Sequence, residues 1–159
     1  MTAVIEGDFV VFMIGPRINR WWKMGKLLSF GKTMPAMLNE LYANPEIGFL
    51  GAESYGLFKS VSVQYWRSWE HLERFARSKE STHFPAWRWF NQAIGSNGDV
   101  GIWHETFLVK EGQYEAVYNN MPATGLGKVG ELVPAAGEYK SGAARLKREE
   151  QLEPPEDAE

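Results

Sequence analysis

At 159 residues, with 44% hydrophobic and 14% aromatic content, the chain is long enough to bury one core and short for two ordinary domains. The lack of any cysteine excludes disulfides, a thiolate nucleophile and Cys-ligated zinc or iron–sulfur sites, and fits a reducing, cytoplasmic setting. A formal net charge of −3 argues against general nucleic-acid binding, and no basic leader or run of about 18 apolar residues predicts a cleaved signal or an integral membrane segment.

Phe9 to Ile14 is a near-continuous apolar run that predicts a central strand covered on both faces, ended by Gly15-Pro16. The following loop carries Arg17, Arg20, Lys23, Lys26 and Lys32 interleaved with Trp21, Trp22, Leu27, Leu28 and Phe30. It reads as a lid with Trp21 and Trp22 as walls, or as a segment lying on an anionic membrane. Thr33 then caps a helix with Pro35 in its first turn and Met34, Met37, Leu38 and Leu41 on one face, closed by Asn44-Pro45. A strand from Gly48 to Ser54 should turn at Tyr55-Gly56 into a second one ending at Trp66, the two forming a hairpin.

Ser68 can cap the next helix, whose apolar stripe is Trp69, Leu72, Phe75 and Ala76 and whose wet side pairs Glu70 with Arg74 and Glu73 with Arg77. After an interruption at Ser78 to Ser81, Pro85 opens another helix on which His83, Trp87, Phe90 and Ile94 share one stripe. Gly95 to Asp99 is a turn cluster, and in the strand Gly101 to Val109 the residues Ile102, His104, Thr106 and Leu108 share one face. Tyr114 to Pro122 reads as a short arm, and the glycines at 125, 127 and 130 as flexible chain. The acidic end, with Glu149, Glu150, Glu153, Glu156, Asp157 and Glu159, reads as disordered.

The order β-α-β-β-α-(α)-β predicts an α+β fold, a ferredoxin-like split β-α-β with a four-stranded antiparallel sheet. It places one domain with a C-terminal arm at 1–136 and a tail at 137–159. Because three of the strands carry apolar residues on both sides, the sheet face away from the helices needs a cover, and a second copy of the chain is the economical one. A homodimer follows.

Several stretches resemble the dimeric α/β-barrel superfamily, which includes antibiotic-biosynthesis-type monooxygenases, haem-degrading monooxygenases, chlorite dismutases and aldoxime dehydratases. They are Gly7 to Phe12, Gly15 to Asn19, Val63 to Ser68, Glu70-His71-Leu72, Gly95 to Glu105 and Tyr118 to Pro122. More closely the chain resembles a group of bacterial and fungal proteins described as a monooxygenase family, over roughly residues 7 to 127. The resemblance implies an oxygenase-like enzyme for a small hydrophobic substrate, aromatic or polyketide-like.

In the superfamily a Trp-x-Ser at the end of the third strand precedes a Ser and then a His. Trp66-Arg67-Ser68, Ser78 and His83 fall in that order, which places haem ligation, if haem is used, at His83. Arg17 and Arg20 are then available for its propionates. The helix Trp of the haem-degrading branch is matched by Phe75, and its first-strand Asn has no counterpart within Phe9 to Ile14.

His104 sits inside a strand with two covered faces, so burying its imidazole requires a partner. Glu53, Ser62, Gln64 and Thr106 are the polar residues that also interrupt the predicted strands. A cofactor-independent oxygenase needs an apolar pocket, a base to form the substrate anion and polar groups to stabilise it. His104 as base, with Glu53 or Gln64 orienting it, satisfies that in type, and Trp66, Phe75, Trp87 and Phe90 supply walls. No HxH, HExxH, GxGxxG or GxxxxGK[ST] spacing points to a metal, dinucleotide or P-loop site. A non-catalytic dimer that binds a small ligand is the reading from another class.

Overall fold

The computed structural model describes residues 1–20, 22, 30–56, 61–78, 88 and 98–147. These divide into two compact units, one of Asp8–Val109 and one of Met1–Gly7 with Lys110–Glu159. The expected second helix with His83, Trp87 and Phe90, Trp21 of the early loop and the acidic run from Glu149 lie outside the described residues.

The larger unit is an α+β layer. Its strands are β2 (Phe9–Ile18), β3 (Phe49–Tyr55), β4 (Val61–Trp66) and β5 (Val100–Val109), all antiparallel, in the order β3-β4-β2-β5. The expected hairpin is the β3–β4 pair, and the apolar run of Phe9 to Ile14 lies in the middle of the sheet. That strand does not stop at Gly15-Pro16 but continues to Ile18 against Val100. Pairing with β4 ends at Ile14, so beyond it β2 answers to β5, and an edge-like stretch tolerates a residue without an N–H.

Helix α1 (Phe30–Ala43) begins three residues before the expected Thr33 cap, which leaves Pro35 inside it. It buries Leu41 and half-buries Met37 and Leu38. A 3₁₀ turn, Pro45–Ile47, carries the chain back to the sheet through Gly48 at φ +81°. A Cβ there would overlap the His71 ring, so the turn needs glycine for both its dihedral and its clearance.

Helix α2 (Trp69–Arg77) turns Leu72 and Phe75 into the core, but Trp69, expected on the same stripe, is 43% exposed. Trp66 is fully buried, with the rings of Phe49 at 5.2 Å and Phe75 at 5.6 Å. Val10, Leu41 and Leu72 complete this cluster. Burial of such aromatic area is the main force holding helices to sheet.

The smaller unit pairs β1 (Thr2–Val4) with β6 (Glu131–Val133), neither of which the periodicity predicts. A two-stranded ladder of three residue pairs is weak by itself, and side chains tie it. The Tyr114 hydroxyl accepts from the Ile5 amide at 2.6 Å, and Tyr118 Oη accepts from Gly127 N at 2.9 Å. The glycine-rich stretch is therefore shaped: α3 (Leu126–Val129) is a helical turn in which Gly127 has the Tyr118 ring where a Cβ would stand. A 3₁₀ turn (Gly137–Tyr139) and α4 (Gly142–Arg145) follow, the latter capped by Ser141 Oγ.

Candidate functional site

Three cross-strand rows set the face of the large sheet that carries the helices. They read Ser54, Ser62, Ile14, His104; Ala52, Gln64, Phe12, Thr106; and Phe49, Trp66, Val10, Leu108. Between this face and the helices lies a hollow of about 60 Å³. Phe12 and Ile14 line it from β2, Gln64 and Trp66 from β4, Met37, Leu38 and Leu41 from α1, and Leu72, Phe75 and Ala76 from α2. Among the described residues Gln64 is its one polar side chain. The hollow therefore gathers three of the residues expected at the site, Gln64, Trp66 and Phe75.

Gln64 is 7% exposed, and its Oε1 accepts from the indole Nε1 of Trp66 at 3.2 Å. An indole N–H only donates, so the carbonyl end of the amide must face it and the NH₂ end is left over. Alternation along the strand puts residues two apart on one face, which is why these two side chains meet.

His104 shares this face, two strands away from Gln64, with Phe12 of β2 between them. Its ring lies 5.5 Å from that of Phe12 at 37°, is exposed, and makes no hydrogen bond among the described residues. The premise that a buried His104 is held by a polar partner is corrected: it stands on the edge strand β5, where the described residues leave one side open to solvent.

Glu53 is on the opposite face, in the row of Val63, Met13 and Glu105, and so is not beside His104 or Gln64. The cause is a bulge between Phe49 and Gly51, where Leu50 is an extra residue that shifts the alternation by one.

Arg20 donates to the buried Asp99 carboxylate at 3.1 Å, and the Asp99 carbonyl accepts from the Asn19 and Arg20 amides. This clasp joins the end of β2 to the start of β5. Asp99 was visible in the sequence only as part of a turn cluster. Arg17 is exposed opposite Gly101, on the sheet face away from the hollow. Trp22, expected as a wall, is 63% exposed.

Haem ligation is expected at His83, which lies outside the described residues. Of the arginines expected for its propionates, Arg20 is engaged by Asp99 and Arg17 stands exposed on the sheet face away from the hollow. Among the described residues no group of His, Cys, Asp or Glu could hold a metal ion, and no helix is long and apolar enough to cross a membrane.

A second, more open concavity of about 330 Å³ lies between the end of α1 and α2, with His71, Glu46 and Arg74 on its walls. Ser68, expected to cap α2 through its side chain, instead donates to Glu70 Oε2 at 2.5 Å and lies 2.9 Å from His71 Nδ1. The Ser68 hydroxyl, then the backbone of Glu70 and the nearby His71, hold the Glu70 carboxyl below the usual carboxylate range. Glu70 is thereby not paired with Arg74, whereas Glu73 does meet Arg77 at 2.9 Å.

Comparison with known proteins gives a consistent result. The chain is 30% identical over 138 residues to Monooxygenase af470 of Aspergillus fumigatus, an alignment that covers 77% of this chain and 46% of the relative. The chain thus spans about half the length of that curated relative. No solved structure matches. Residues 9–126, which take in the four-stranded sheet and the two helices described on it, match the Monooxygenase af470-like family. The chain belongs to that family.

Proposed function

We propose that this protein is a monooxygenase-like enzyme acting on a small hydrophobic substrate, aromatic or polyketide-like, at the helix-bearing face of the sheet. The observation that carries this reading is a hollow whose described walls are apolar but for the amide of Gln64, in a chain of a monooxygenase family. The name of the Aspergillus fumigatus relative, a monooxygenase, supports the same reaction class. His104 is the proposed base: it lies on that face and is open to an incoming phenol-like group. Glu53 has no part in this site.

The strand order β3-β4-β2-β5 supports a ferredoxin-like split β-α-β fold. The half-buried Val11, Met13 and Val63 and the exposed Phe107, all on the face away from the hollow, support a homodimer with sheets packed face to face. We retain 1–136 as a single functional domain in this reading.

Oxygen uptake by the purified protein over a panel of phenols and quinols tests the activity. A folded His104→Ala should lose at least about a hundredfold in turnover, and unchanged turnover would remove His104 from the mechanism. If no member of the panel drives oxygen uptake although ligands bind, the non-catalytic ligand-binding reading replaces this one. Light scattering reads the dimer directly, and a stable monomer at micromolar concentration would contradict the packing proposal.

A further inference from the structure

We infer that the side-chain amide of Gln64 is the hydrogen-bond donor for a ligand's oxygen, so that the hollow selects molecules entering with a carbonyl or phenolate oxygen foremost. The inference rests on the proposed function only in taking the hollow as the place where substrate is held.

Trp66 fixes the orientation. Its indole N–H can only donate, and at 3.2 Å it has taken the Gln64 carbonyl oxygen. The two amide N–H groups are then committed to the other side. Gln64 is 7% exposed and lines the hollow, and its amide nitrogen has no hydrogen-bond partner among the described residues. Among the described residues every other wall of the hollow is hydrocarbon, thioether or aromatic ring, with the Trp66 N–H already spent. Ser62 Oγ and not this nitrogen is the fully buried unpaired atom of the strand, so the amide N–H groups are reached from the hollow and can be matched by an acceptor that arrives with a ligand.

One step along the same strand face, the buried Ser62 hydroxyl also lacks a partner among the described residues. Two unspent polar groups therefore follow one another on β4, in a layer otherwise built for apolar contact.

Volume narrows the class further. About 60 Å³ takes a few non-hydrogen atoms, well short of the roughly 300 Å³ and more that encloses a whole drug-sized molecule. What enters is an oxygen and the carbons next to it. A hydrocarbon of the same shape would fill the space and leave both N–H groups unpaired, which is the situation in which binding sites discriminate most strongly.

The test uses a shape-matched pair of probes, cyclopentanone and methylenecyclopentane, titrated into the full chain. Wild type should prefer the ketone by about tenfold, the worth of one well-made hydrogen bond. A folded Gln64→Leu should bind both alike, since a purely structural role for Gln64 would weaken both equally and keep the ratio. Equal affinities in wild type, a ratio retained in Gln64→Leu, or binding of neither probe overturns the inference.

Should Gln64→Leu fail to fold, the ¹⁵N side-chain amide pair of Gln64 in wild type decides. It should move downfield with the ketone and not with the alkene, and a pair that ignores the ketone overturns the inference. The two readings fail separately. A ketone preference without oxygen uptake on any substrate keeps this inference and sinks the oxygenase, whereas oxygen uptake without the preference does the reverse.

Discussion

The two compact units of this chain are held by different means. In the unit of Asp8–Val109 a fully buried tryptophan, two phenylalanines and two leucines lock helices to sheet. In the unit of Met1–Gly7 and Lys110–Glu159 the ladder is short, and order comes from named polar ties. Tyr114 holds Ile5, Tyr118 holds Gly127, and Arg145 reaches both Glu115 and the Tyr139 carbonyl. A core made by area loses stability in proportion to volume removed, whereas a set of ties is lost one hydrogen bond at a time. The lesson is that a segment poor in apolar periodicity can still be well formed, provided each tie has a geometrically fixed partner.

The largest effect should come from Trp66→Ala, which removes the centre of the apolar cluster and should cost about 3–5 kcal/mol in urea unfolding. A loss under 1 kcal/mol would break the contrast, because it would mean the core is not what holds that unit. Arg145→Ala should cost less, about 1–2 kcal/mol, since its partner Glu115 keeps partial access to water. Native-state hydrogen exchange should then rise at Lys140 to Leu146 while the amides of Val10 and Tyr65 keep their protection. A uniform rise across both units would erase the distinction.

The smallest effects lie at the two ends of the pH scale. Glu70, in the larger unit, has its carboxyl lowered first by the Ser68 hydroxyl, so its contribution is present above the usual carboxylate range, about 4.3. That contribution is lost as the pH falls through the lowered folded-state value. Lys147, in the smaller unit, is raised by its hydrogen bond and charge pairing with Glu111, so its contribution is present below about 10.4 and is lost as the pH rises through the raised value. Both groups are exposed, so Glu70→Gln should lower the urea midpoint slightly at neutral pH, a difference that closes through the acid arm, and Lys147→Met should lower it slightly at neutral pH, a difference that closes through the alkaline arm. Both differences should shrink at high salt. A shift constant over the whole pH range would remove these interactions from the account.

Much of the larger unit was legible because its signals are periodic. The apolar run of Phe9 to Ile14, the β3–β4 hairpin, the shared face of Ile102 to Leu108 and the inward Leu72 and Phe75 all follow from spacings of two or three to four residues. Where one residue breaks the count, the reading breaks with it. Leu50 shifts the parity of β3 and carries Glu53 to the face away from the hollow, and nothing in Phe49-Leu50-Gly51 announces that bulge.

Of the candidate site, Gln64, Trp66 and Phe75 were legible as a group, since residues 64 and 66 share a strand face. That Arg20 would serve a structural clasp with Asp99 was not, because a charge in sequence does not declare its partner. The pairing of β1 with β6 joins strands of three residues each from opposite ends of the chain, too short for any period to register.

The register of the large sheet also carries a consequence for how the molecule is made. β3 meets β4 over a short stretch of sequence, with Tyr55 opposite Val61, while Phe9 finds Val109 only after nearly the whole unit has been threaded between them. Closing so long a chain excursion costs entropy before any contact repays it. The local hairpin is therefore the natural seed, β2 docks on it, and β5, with His104, arrives last; in pulse-labelled refolding the amides of Gly101 to Leu108 should be the slowest to gain protection. On a nascent chain the hollow's floor would exist before the strand that carries the proposed base, and until β5 closes, the outer edge of β2 would be the surface most open to mispairing with another molecule.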